Sequence, residues 1–325
     1  MNNRRRLVVA LGASVLAAPF ASFAQAPAVR LARIGLLGPG TVFSNESLVA
    51  ALLKQLRDLG YVEGKNLGVE SRWSEGKNDR LPDLAVELVR LKVDLIVTFQ
   101  TPAGLAAKQA TNTIPIVLAP AADPVATGLI ASLARPGGNV TGLSGVTSEL
   151  AAKNLELIRA IMPSATRVAV LVNGDDSFAK SFLGHIEIAG RALGVELQTI
   201  TVRSGDSMDA AFDDMAKARI SAVIVQPSLP NKRAAELALQ HRLPAAAPAQ
   251  GFADAGGLLA YVDSFADRYR EVAFYVDKIL KGAKPADLPV RQPTKFELVI
   301  NLKTARHVGL TIPPNVLARA DRLIE

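Results

Sequence analysis

From Leu31 onward, short aliphatic runs alternate with stretches whose apolar residues recur every three or four positions. Leu31–Leu37 reads as a buried strand. Asn45 then caps a helix with Leu48, Leu52, Leu56 and Leu59 on one face, ended by Gly60. Leu67–Trp73 is the next strand, and the helix after it has Pro82 in its first turn and Leu81, Leu84, Leu88 and Leu91 on one side. Val93–Phe99 is broken only by Asp94, as expected of a parallel strand covered on both faces. Ile114–Leu118 and Val140–Ser144 continue the series.

After a helix near Ser148–Ile161 the beat restarts. Strands are predicted at Arg167–Val172, Val195–Val202, Ile220–Val225, Pro244–Ala247 and Leu258–Val262. Helices fall between them, at Phe178–Leu193, Met208–Ala218, Lys232–His241 and Asp267–Lys281. A strand at Phe296–Ile300, a helix at Leu302–Val308 and a short tail helix complete the chain. Repeated βα units imply parallel sheets with right-handed crossovers. Two runs of units, instead of one closed run of eight, favour two doubly wound α/β lobes over a barrel.

In such sheets ligands bind beyond the carboxyl ends of the strands. That rule nominates Gly38–Thr41 with Gly40 and Thr41, Gln100-Thr101-Pro102, Ala119–Asp123 with Ala121 and Asp123, the loop at Asn173, and Gln226-Pro227-Ser228. Thr101-Pro102 opens a helix, whose free N–H groups suit a carboxylate. Any one of these loops also reads as a plain βα turn. Gln100, Thr101, Ser228 and Tyr261 offer hydrogen bonds, while Phe99 and Phe178 either stack on a ligand or belong to the core.

Charge and composition narrow the function. The net charge is +7, three units of it from Arg4, Arg5 and Arg6, and no basic stripe follows. A nucleic-acid surface needs such a patch, so no nucleic-acid partner is expected. There is no cysteine, which excludes disulfides, thiolate chemistry and lipid attachment at a cysteine. Arg4–Arg6, the apolar run Leu7–Ala18 and Ser22-Phe23-Ala24 read as a signal peptide over 1–24, cut after Ala24 for export to the periplasm. The run is too short to span a membrane.

Catalytic motifs are missing. Gly35-Leu36-Leu37-Gly38-Pro39-Gly40 is not a dinucleotide loop, and Gly142-Leu143-Ser144-Gly145 misses the nucleophile elbow by one residue. His185, His241 and His307 are far apart and read as surface or capping residues, so no metal is expected, no cofactor and no enzyme.

Several segments instead carry a family likeness: Gly60–Asn66, Trp73–Gly76, Asp79–Pro82, Ile114–Val117, Asp123–Val125, Arg135–Gly142, Ile279–Val290 and Phe296–Ala305. In order and spacing they resemble the ABC transporter substrate-binding proteins of the tryptophan/tyrosine type. The resemblance implies a type I periplasmic-binding fold, with two Rossmann-like parallel-sheet lobes joined by a three-strand hinge that closes on a ligand. One lobe would comprise 29–143 plus about 256–287, the other 144–255 plus about 288–325. The crossings would fall near Thr141–Val146, Gln250–Ala260 and Leu288–Thr294, with Thr141, Gly142, Gly256 and Gly257 as hinge residues. Asp123 has two readings, a partner for a ligand ammonium or the cap of a helix opened by Pro124. The implied function is capture of a small solute, an amino acid or small carboxylate, by a monomer that delivers it to an inner-membrane ABC permease with its ATPase. A sensory module of the same fold is the alternative. The cleft loops Phe99-Gln100-Thr101-Pro102 and Asn173–Phe178 depart from those common in relatives, so no relative's ligand carries over.

Overall fold

The computed structural model describes residues 31–176, 178–203 and 205–325. The expected leader and its cleavage site lie outside the described residues. The first lobe is a five-stranded parallel sheet in the order β2-β1-β3-β4-β5. Its strands are β1 (Ala32–Gly38), β2 (Leu67–Trp73), β3 (Leu95–Thr98), β4 (Ile116–Ala122) and β5 (Val140–Gly145). Helices α1 (Val42–Asp58), α2 (Leu81–Arg90) and α3 (Gln100–Ala110) connect the first four.

Both faces of this sheet are buried. Ile34, Leu36, Leu95 and Val97 pack on one side, and Leu37, Ile96 and Leu118 on the other. Two covered faces leave no place for polar alternation, which is why these strands read as continuous aliphatic runs. Each Leu or Ile fully withdrawn from water there contributes about 2 kcal/mol.

The second lobe is a seven-stranded sheet in the order β12-β11-β10-β9-β8-β6-β7. It contains β6 (Arg167–Asn173), β7 (Glu196–Val202), β8 (Ala222–Val225), β9 (Ala245–Ala246), β10 (Leu259–Asp263), β11 (Phe296–Asn301) and β12 (Arg322–Ile324). Only the β10–β11 pairing is antiparallel. Helices α4 (Thr147–Ile161), α5 (Ala179–Leu193), α6 (Met208–Lys217) and α7 (Asn231–Gln240) cover its faces, with the short α9 (Leu302–His307) and α10 (Pro314–Leu317) near the end. Helix α8 (Phe265–Leu280) follows β10 but packs on the first sheet, where Tyr269, Val272 and Val276 join the core of Ile34 and Leu36.

The segment 288–295 runs between the lobes with a neighbour on each side. Arg291 N donates to Gly142 O (3.1 Å) and Ser144 N donates to Arg291 O (2.9 Å). On the other flank Ser264 N donates to Lys295 O (2.9 Å). Arg268 grips Asp263 at this crossing, Nε to Oδ2 at 2.6 Å, and both side chains are mostly buried.

Three expectations are corrected. Helix α1 is capped by Thr41, not Asn45: Thr41 Oγ1 accepts from Ser44 N (3.0 Å) and Ser44 Oγ accepts from Thr41 N (2.8 Å). Pro124 opens a series of turns instead of a helix. The middle crossing comes at Ser264, because residues 259–263 form β10 of the second sheet. Gly256 and Gly257 therefore lie inside the second lobe, not at a hinge. Gly256 O accepts from Thr304 Oγ1 (3.0 Å), and a Cβ on Gly257 would come within 2.3 Å of the Phe252 ring. Gly142 lies within β5, paired with Leu118 of β4, with φ +120° and a virtual Cβ 2.4 Å from Leu118 N, while Thr141 Oγ1 beside it donates to Leu288 O (2.7 Å).

Candidate functional site

The carboxyl edge of the first sheet is stiffened from below. Gly40 takes φ +79°, and Asn45 Nδ2 donates to Pro39 O and Thr41 O, both at 2.8 Å. Thr41 is thus occupied with capping. Phe99 is 2% exposed and packs 5.4 Å from the Trp73 ring, so it belongs to the core. Thr101 Oγ1 donates to Ala122 O (3.2 Å) and accepts from Ala122 N (3.0 Å), which ties the start of α3 to the end of β4. Ala121 is fully buried.

Three non-glycine residues on this edge have left-handed backbones, Glu75 (φ +54°), Gln100 (φ +66°) and Asp123 (φ +36°). Such conformations cost about 1–3 kcal/mol each and gather at binding edges. Gln100 is exposed. Asp123 Oδ1 accepts from Ala126 N (3.0 Å), so its carboxylate holds the turn.

On the second lobe, Gln226 is 1% exposed and works as an internal strut. Its Oε1 accepts from Asn173 N and its Nε2 donates to Asp176 Oδ2, both at 2.8 Å. Asp176 Oδ1 in turn accepts from Phe178 N (2.9 Å), and Asn173 Oδ1 from Asp175 N (3.0 Å). Ser228 is exposed on the following turn. Tyr261 stacks on Phe296 at 5.8 Å, and its backbone N–H and C=O both bond to the buried Asn154 side chain at 3.0 Å.

A cavity of about 180 Å³ lies between the lobes, next to the crossing segments. Asp123, Pro124, Val125 and Leu133 line it from the first lobe. Ser144, Gly145 and Gln292 come from the crossings. Thr147, Ser148, Glu149, Phe178, Ser181 and His185 line it from the second lobe. Among the nominated residues, Asp123 and Phe178 face this cavity; the others do not. The contribution of α5 was missed because only strand-end loops were considered. Phe178, Ser181 and His185 are spaced three and four apart, a helical face that could have been read from sequence.

The lining carries two carboxylates, Asp123 and Glu149, one imidazole, and no lysine or arginine. Helix α4 begins here without a capping side chain, so its first N–H groups are open to an anionic group. Several shifted ionisations sit beside the crossings. Burial pushes Tyr275 up to about 12, the Glu271 carboxylate raises Arg291, and a hydrogen bond from Lys295 lowers Asp267. A second hollow of about 40 Å³ lies beside Asp254, Glu297 and Arg322, where Arg322 already forms a two-pronged pair with Asp254 at 2.6 and 2.7 Å. Among the described residues, no group of three His, Asp or Glu is placed to hold a metal ion, and no helix is long and apolar enough to cross a membrane.

The model of one family, ABC transporter substrate binding protein, matches residues 43–324. A tyrosine-binding protein of Clostridioides difficile is 26% identical over 79% of this chain and 75% of its own. A conserved domain protein of Vibrio cholerae has a solved structure with TM-score 0.84 at 28% identity, covering 90% of this chain and 100% of that one. The ABC domain of Streptococcus pneumoniae in complex with L-Trp gives TM-score 0.83 at 27% identity, over 90% and 99% of the two chains. Leucine-binding protein LivK of Thermotoga maritima, at 16% identity and TM-score 0.55 over 79% of this chain and 78% of that one, shares the fold.

Proposed function

Because the chain belongs to the ABC transporter substrate-binding protein family, we propose that it captures an amino acid in the cleft between its lobes and presents it to an ABC permease without chemical turnover. The observation that carries this reading is the cavity of about 180 Å³ lined from both lobes and from the crossings. A ligand held there touches both lobes at once, so its binding energy favours their closed arrangement. The lining favours an amino acid over a simple carboxylate. Asp123 and Glu149 complement an ammonium, whereas no lysine or arginine is present to neutralise a small anion. The uncapped start of α4 suits the α-carboxylate. Two relatives support the class, one named for tyrosine and one solved with L-Trp.

The mature chain would begin at Gln25 after removal of 1–24, and act as a periplasmic monomer. The test is a thermal-shift screen of that chain against amino acids, small carboxylates, purines and sugars. A ligand at 100 times its Kd stabilises by about 2.7 kcal/mol, a shift of several degrees. Stoichiometric binding of an intact amino acid is the expected outcome. A hit confined to sugars or purines, or conversion of the ligand to product, defeats the proposal.

A further inference from the structure

One side chain in the cavity is left with a defined and unused hydrogen-bonding atom. His185 lines the lobe-two wall, and its Nδ1 lies 3.3 Å from Ser181 O on the preceding turn of α5. A carbonyl oxygen can only accept, so in the neutral ring the proton sits on Nδ1 and Nε2 carries a lone pair. Among the described residues no group bonds to Nε2, and the side chain is exposed. Nothing in the packing of α5 requires an imidazole here, since Phe182 and Ile186 supply the buried face.

The surroundings give that lone pair a direction of use. Phe178, Ser181 and His185 follow one stripe of α5, so the phenyl ring and the imidazole are separated by about 10 Å along the helix. The opposite wall contains Pro124, Val125 and Leu133, which are apolar. Such a lining suits a flat apolar group. Its edge would then meet a neutral acceptor, not a charge.

We propose that His185 is a specificity-determining residue, whose Nε2 accepts a hydrogen bond from the ring substituent of an aromatic amino acid, a phenol O–H or an indole N–H. The role rests on the cleft being an amino-acid site. It separates ligands that the rest of the cavity treats alike: L-tyrosine from L-phenylalanine, and L-tryptophan from 1-methyl-L-tryptophan. In each pair the second member has the same ammonium, carboxylate and ring but no donor at the edge. Once the lobes close over a ligand and withdraw Nε2 from water, a ligand without a donor leaves it unmet, which is what discriminates.

The experiment is isothermal titration calorimetry of the mature chain with those four ligands, for wild type, His185→Phe and His185→Gln. Wild type is expected to prefer the donor-bearing member of at least one pair by about tenfold or more. His185→Phe should bring that ratio within about twofold of unity, and His185→Gln, which keeps an acceptor, should restore most of it. A merely structural residue would move both members of a pair together. The melting temperatures of the variants should match wild type, since the side chain is exposed. An unchanged ratio in His185→Phe overturns the inference and transfers the acceptor role to Asp123 or Glu149. Failure of wild type to bind any of the four overturns this inference, while binding of another amino acid in the thermal-shift screen would leave the amino-acid reading of the cleft standing.

Discussion

Gln226 provides the sharpest test of how the second lobe is built, because a polar residue at a strand end reads equally well as ligand contact or as strut. In the structure both ends of its amide are spent, on Asn173 N and on the Asp176 carboxylate. Gln226→Ala removes a bond to a charged group, worth about 1.5–3 kcal/mol, and strands a backbone N–H, worth about 1–3 kcal/mol. These terms overlap, and the expected total is about 3 kcal/mol. Urea unfolding followed by far-ultraviolet ellipticity should show it as a lower midpoint. The single tryptophan, Trp73, lies in the first lobe, so its fluorescence transition should shift less than the ellipticity. Gln226→Glu sets two carboxylates side by side and should cost at least as much at neutral pH. A loss below about 1 kcal/mol, or abolished ligand binding with an unchanged midpoint, would refute the strut and put the amide on the ligand.

Gly142→Ala places a methyl 2.4 Å from Leu118 N on a backbone at φ +120°. It should cost about 2–4 kcal/mol in urea unfolding, whereas Gly184→Ala, whose Cβ meets nothing within 4 Å in the middle of α5, should be neutral or slightly stabilising. Tyr61, Tyr269 and Tyr275 are pushed up to about 12, each chiefly by burial. Their unfolded counterparts ionise near 10, so this stability is intact below pH 10 and is lost as pH rises toward 12. An ultraviolet titration should show these phenols ionising late, together with unfolding; a reversible transition of all four tyrosines near pH 10 in folded protein would contradict it. Asp254, lowered by its bond from Arg322, and Asp267, lowered by Lys295, work in the opposite sense. Stability from them is present above about pH 4 and falls below it, which melting curves from pH 6 to 3 should register.

Much of the fold was legible because burial on both faces writes itself as uninterrupted aliphatic sequence. Leu67–Trp73 was bounded correctly, and Phe296–Ile300 was short by one residue. The start of α1 was misread because Thr41 and Ser44 cap it reciprocally, while Asn45 is drawn inward to hold Pro39 O and Thr41 O. The binding cleft was far less legible. Thr101 and Gln226 were nominated because they lie just beyond strand ends, yet each side chain satisfies backbone or carboxylate groups of its own lobe. Whether a polar atom is already saturated depends on partners dozens of residues away, which no local pattern records. The cavity wall drew instead on a helix face at Ser181 and His185 and on Gln292 in a crossing segment. The place of residues 256–263 was misjudged for a related reason: β10 and α8 are adjacent in sequence but serve different sheets.

That division has a consequence for synthesis. One face of the first sheet is covered by α8 through Tyr269, Val272, Ala273, Tyr275, Val276 and Ile279. Until residue 280 has left the ribosome, Ile34, Leu36, Leu95 and Val97 lack part of their cover. The first half of the chain to be made is thus unable to finish folding on its own. It waits for a helix encoded near the other end, and its aliphatic face stays partly uncovered during that wait.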